Sequence, residues 1–124
     1  MIFIDRSIPK SVAQALQLVR DDVEWLEPRF PHDTPDVDWL IEAGRNGWIV
    51  VSRDKRVSRR PAELRAIRDH NVGCFIITVR RNLTKWEYLK LLAANLDEMM
   101  DLFDATARPF IWTVERRGIS RKIL

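Results

Sequence analysis

The stretch Trp48-Ile49-Val50-Val51-Ser52-Arg53-Asp54 decides how this chain reads. Residues 48–52 form a short apolar run, rich in β-branched side chains and opened by Gly47. Such a run reads as a strand buried on both faces of a parallel sheet. Asp54 follows at its carboxyl end, which is where open α/β sheets put their ligand sites. Lys55, Arg56, Arg59 and Arg60 come next and would attract a polyanion. Two other stretches aim at the same edge. Ile2-Phe3-Ile4-Asp5 is again an apolar strand ending in aspartate, and Thr34-Pro35-Asp36-Val37-Asp38 opens a helix with acids in its first turn.

Working outward, the punctuation of the chain alternates strand and helix. Pro9 suits a first helical turn, and the spacing predicts a helix to about Arg20 with Val12, Leu16 and Val19 on one face. Val23–Leu26 is a short second strand ahead of a proline-rich loop over 28–35. Thr34 reads as an N-cap with Pro35 at the first helical position, and the helix to about Arg45 should bury Val37, Leu40, Ile41 and Gly44. Pro61 to His70 makes a third helix, with Ala62, Leu64, Ala66 and Ile67 as its apolar contacts. Cys74–Val79 is a fourth strand. Thr84-Lys85-Trp86-Glu87 is a capping box that starts the longest helix, to about Asp104, on a stripe of Leu89, Leu92, Leu96, Met99 and Phe103. Pro109–Val114 is a last full strand, and Gly118 allows a turn into a hairpin partner. This alternation predicts an α/β fold: a three-layer α/β/α sandwich with a mainly parallel central sheet, in a single domain over 1–124.

Bulk properties narrow the function classes. No apolar run approaches membrane-spanning length and no signal-peptide pattern opens the chain, so a cytoplasmic protein with no membrane partner is expected. A single cysteine, Cys74, excludes a disulfide framework and reads as a small core residue. Charge is uneven: residues 1–52 carry five Lys/Arg against nine Asp/Glu, and residues 53–81 carry nine against three. An acidic part beside a basic stripe suits a metal site next to a phosphate track.

Asp5, Asp36 and Asp54 should meet at the shared edge. Oxygen ligands grouped this way suit Mg²⁺ or Mn²⁺. Taken singly, each has a plainer account: helix-dipole stabilisation for Asp36 and Asp38, a turn aspartate for Asp5 and Asp54. Among the basic residues, Arg53, Lys55, Arg59 and Arg60 lie nearest the edge and are the candidates for a phosphate role; Arg65 and Arg68 read as a solvated helix face. No glycine-rich phosphate loop, Cys/His ligand pair or serine elbow competes. The five tryptophans are mostly core candidates, with Trp39 and Trp86 the two that could reach a partner or stack on a base.

These pieces, in this order and spacing, resemble the PIN-like domains, specifically the small VapC-type toxin branch of type II toxin–antitoxin systems. The matching stretches are Ile2 to Pro9, Thr34 to Leu40 and Trp48 to Arg56, with Arg59-Arg60-Pro61-Ala62-Glu63 also similar. The resemblance implies a ribonuclease that cuts RNA with Mg²⁺ or Mn²⁺, with Asp5, Asp36 and Asp54 as catalytic metal ligands and Asp38 as the fallback. It also implies a cognate antitoxin as partner. Two departures are visible: Arg6 follows the first aspartate, and Ile77-Thr78-Val79-Arg80-Arg81 offers no fourth acid. The alternative is a catalytically weak nucleic-acid- or protein-binding module on the same fold. A response-regulator receiver fits poorly, because only Asp5 stands where that fold needs paired acids. A second apolar set on the longest helix, Tyr88, Leu91, Asn95 and Leu102, predicts a further contact, with antitoxin or in a homodimer.

Overall fold

The computed structural model describes residues 1–54 and 59–124. Five strands run parallel: β1 (Ile2–Ile4), β2 (Val23–Trp25), β3 (Ile49–Ser52), β4 (Gly73–Ile77) and β5 (Phe110–Glu115). The sixth, β6 (Gly118–Lys122), returns antiparallel to β5, and the order across the sheet is β2-β1-β3-β4-β5-β6. Four helices flank the sheet among the described residues: α1 (Lys10–Gln17), α2 (Asp36–Asn46), α3 (Pro61–Asp69) and α4 (Lys85–Ala105).

Strand alternation sorts the core into two layers. Ile2, Ile4, Ile49, Val51, Phe75 and Ile77 face α1 and α4, while Phe3, Val50, Cys74 and Ile76 face α2 and α3. The second layer is aromatic at its centre, where Phe3 stacks on Trp48 at 5.1 Å and meets Trp39 at 5.6 Å. The three-layer α/β/α sandwich read from the sequence is therefore the observed architecture. Among the described residues no helix is long and apolar enough to cross a membrane.

Local expectations fare unevenly. The capping box at α4 is present in both directions: the Glu87 backbone N–H donates to Thr84 Oγ1, and the Thr84 N–H donates to the Glu87 carboxylate. At α2 the start moves by one residue. Pro35 sits at the N-cap without a side-chain cap, and the Thr34 carbonyl instead accepts from the Arg6 guanidinium at 2.6 Å. Helix α1 ends at Gln17, three residues early, in a turn where the Arg20 N–H still bonds the Leu16 carbonyl and the Arg20 side chain pairs with Asp22 and Asp97; Val19 is 80% exposed rather than on the buried face. Ala62 is exposed, and Glu63 is the residue that α3 buries in its first turn. Trp39 is fully buried and cannot stack on a partner; Trp86 is 63% exposed and can. The second apolar set on α4 is partly covered within the chain. Tyr88 and Asn95 are buried, and Leu91, Leu102 and Ile119 of β6 pack around the same core.

Helices α2 and α3 approach through Gly44. A Cβ at that position would lie 2.1 Å from the His70 carbonyl oxygen and 3.0 Å from Val72 Cγ2. Alanine is the better helix former by about 1 kcal/mol, but here it would force backbone apart. Gly44→Ala should therefore lower stability by about 1–3 kcal/mol in urea unfolding; a variant as stable as the parent would refute the close approach.

Candidate functional site

The strand order places a switch point between β1 and β3: β2 lies to one side of β1, and every later strand lies to the other side. Ligands of open α/β sheets bind at the carboxyl edge of such a point. Three segments converge there. Asp5 follows β1 directly and donates its backbone N–H to the Val51 carbonyl at 3.1 Å, which ties it to β3. Ser52 ends β3 and Arg53-Asp54 continue from it. The first turn of α2 brings Asp36, held by the Arg6–Thr34 bond between the two loops.

The centre of the edge is the Asp5 carboxylate, only 3% exposed. Ser52 Oγ donates to its Oδ2 at 2.6 Å. The Ser7 backbone N–H donates to Oδ1 at 2.9 Å, and the Ser7 hydroxyl bonds the same oxygen. Each hydroxyl also accepts from the β3 continuation: Arg53 N–H to Ser7 Oγ at 2.8 Å, and Asp54 N–H to Ser52 Oγ at 2.9 Å. Burial pushes the Asp5 carboxyl up to about 6; the hydrogen bonds from Ser52 and Ser7 pull against this, and the negative charge of Asp36 adds to it. Repulsion from Asp36 is thus present but secondary to desolvation.

Asp36 is oriented by Trp39, whose Nε1 donates to its Oδ1 at 3.0 Å. The same bond satisfies the indole of a fully buried tryptophan. Asp38, the fallback ligand, is exposed two residues further on. Asp54 is half-buried, with its backbone fastened to Ser52. Among the described residues no three His, Cys, Asp or Glu side chains stand together as a ready cage for a metal. The donors present are nonetheless all oxygen, and neither Asp5 nor Asp36 forms an ion pair among the described residues. Two such carboxylates fit Mg²⁺, which keeps several waters and commonly takes one or two carboxylates plus substrate phosphate.

The basic candidates separate. Arg59 and Arg60 are exposed, with Arg60 4.0 Å from Glu63. Lys55 lies outside the described residues. Arg53 points into the fold: its guanidinium donates to Tyr88 Oη at 2.5 Å and to the Val79 and Arg81 carbonyls at 3.0 and 2.6 Å. It thereby fills the space beyond β4, where the sequence offers no fourth acid. Ser7 and Ser52 are the site residues that sequence reading missed. The signals were there: a hydroxyl two residues after a strand-end aspartate, and a polar residue closing an apolar run.

This is an α/β domain with an oxygen-lined ligand edge at its topological switch point. The family model described as PIN like domain matches residues 1–79, well over half of the chain, and the chain belongs to that family. No curated protein and no solved structure matches it. Family membership points to activity of the nuclease type.

The Asp5 proton carries a stability signature. Its folded value of about 6 lies above the ordinary 3.8, so between these the folded state holds more protons than the unfolded state. Stability of the metal-free protein should therefore fall as pH rises from about 4 to about 6, by up to about 3 kcal/mol. Asp5→Asn should flatten that decline in urea titrations across the range; an unchanged slope would assign it to another group.

Proposed function

We propose that this PIN-like domain is a metal-dependent endoribonuclease that hydrolyses RNA phosphodiesters, acting as the toxin of a type II toxin–antitoxin pair with a cognate antitoxin as partner. The observation that carries the reading is the buried Asp5 carboxylate at the switch point of the sheet, with Asp36 in the first turn of α2 at the same edge and neither of them in an ion pair among the described residues. A divalent ion is what such a pair accepts. Asp5 and Asp36 would hold Mg²⁺ or Mn²⁺, with Asp54 completing the set. A bound ion of this kind activates water and neutralises charge on a phosphodiester.

The chain's own residues supply the rest. Ser52 and Ser7 hold both Asp5 oxygens in place, with two bonds on Oδ1 and one on Oδ2, which leaves Oδ2 a lone pair for a ligand. Trp39 orients Asp36. Arg59 and Arg60, exposed beside the edge, and Lys55 draw in the RNA backbone by charge. Arg53 clamps the end of β3 to the loop after β4, so its part is positioning.

The alternative, a catalytically weak binding module, draws support from the lack of a three-acid group among the described residues. Expression of the parent and of Asp54→Asn, scoring growth arrest together with RNA cleavage, separates the two. The nuclease reading expects both effects to disappear in the variant, and equal phenotypes would sink it. Thermal melts give a readout independent of activity. Mn²⁺ at about a hundredfold over its dissociation constant should stabilise the parent by about 2.7 kcal/mol relative to EDTA. Asp54→Asn should lose most of that gain.

A further inference from the structure

A groove of about 480 Å³ opens at the same edge of the sheet, between the loop after β4, helix α4 and the β5–β6 turn. Its rim is basic. Arg81, Lys90, Arg116 and Arg117 line it against one carboxylate, Glu87. Glu87 is paired with Arg81, and the remaining three cations form no ion pair among the described residues. Its apolar lining comes from the half-buried Val79, Leu83 and Leu91, with the exposed Ala94 beside them.

The turn that carries Arg116 and Arg117 is seated rather than free. Glu115 pairs with Gly118, leaving only the two arginines in the loop. Gly118 has φ 122° and lies so close to α4 that a Cβ would be 3.0 Å from Asn95 Oδ1. Asn95 is itself buried, its amide donating to the Leu91 carbonyl at 2.7 Å. The backbone of the two arginines is thus held at a fixed place beside the groove. Arg53, between Ser52 and Asp54, bonds the carbonyls of Val79 and Arg81, which are groove-lining residues. The groove and the acidic edge therefore share a wall.

We infer that this groove is a nucleotide subsite for single-stranded RNA, with Lys90, Arg116 and Arg117 on its phosphates and the apolar lining against a base. Cations beside an apolar lining match a nucleotide's own division into anion and flat ring, and the volume lies in the range of small-ligand sites. A strand crossing the acidic edge would continue into it past Arg53. In that sense the inference rests on the nuclease reading and extends it to residues outside the stretch that resembles the toxin branch.

The test is fluorescence anisotropy with a labelled short oligouridylate in EDTA, so that neither metal nor cleavage is needed. Parent, Lys90→Ala, Arg116→Ala/Arg117→Ala and Arg116→Lys/Arg117→Lys are titrated from about 50 to 200 mM salt. Each phosphate contact on a single strand contributes about 0.7 to the slope of log affinity against log salt. The double alanine variant should lose about 1 to 2 units of slope and about tenfold or more in affinity, Lys90→Ala a smaller share, and the lysine pair should keep the parent slope. Melts matching the parent would show that the exposed turn tolerates the changes. An alanine pair that binds with the parent's slope overturns the inference. So does a parent that ignores RNA but binds polyglutamate through the same arginines, which would make the groove a seat for an acidic protein segment. Cleavage with Mn²⁺ is scored separately: loss of RNA binding on Arg116→Ala/Arg117→Ala supports the subsite even if the parent cuts nothing, an outcome that would remove only the nuclease reading.

Discussion

The buried Asp5 carboxylate and the two serine hydroxyls that bond it hold the working edge together. A charged carboxylate taken from water costs several kcal/mol unless donors replace the lost hydration. Here the replacements come from two strands. Ser7 belongs to the turn after β1 and Ser52 to the end of β3, and each also receives a backbone N–H from the segment running to Asp54. Hydrogen bonds to charged groups contribute about 1.5–3 kcal/mol each, more than neutral ones. The same bonds that make the burial tolerable therefore fix the spacing of β1, β3 and the Asp54 backbone. Desolvation still exceeds them, which leaves the carboxyl raised to about 6 and open to a further positive partner.

Much of this was legible in the chain. The strands were readable because each is a short apolar run closed by a polar residue, and the start of α4 because a capping box is a local pattern with a local cause. The placement of Asp5 and Asp36 at one edge was readable for the same reason: strand ends and helix starts are marked in the sequence, and a parallel sheet puts both there. What escaped depended on contacts distant in sequence. The pairing of Arg20 with Asp97, just past the end of α1, spans 77 residues. Trp39 looked available to a partner until the crossing of Phe3, Trp39 and Trp48 buried it. Arg53 sits in a basic run and reads as one more surface cation; its inward turn is set by carbonyls 26 and 28 residues away. The basic turn at Arg116 and Arg117 reads as an ordinary hairpin until α4 is placed beneath it.

The edge divides electrostatically. Carboxylates gather where β1, β3 and α2 meet, and cations gather to the side of β4, α4 and the β5–β6 turn, with Arg53 as the joint between the two zones. A polyanion approaching the acids alone would be repelled. One approaching from the side of the cations meets attraction first, so the two zones give the edge a direction of approach without neutralising the acids themselves.

The margins of the sheet bear on behaviour at high concentration. An unpaired strand margin is a template for association with another chain, and proteins blunt it with short strands, irregular ladders and charge. Here β2, at one margin, spans only three residues. At the other, β6 carries Ser120, Arg121 and Lys122 exposed, and its ladder slips between Trp112 and Val114, where the Thr113 hydroxyl bonds Arg121 instead. The antiparallel return of the last strand thus closes the parallel sheet with a charged, uneven border, which works against edge-to-edge aggregation of a chain whose interior strands are almost wholly apolar.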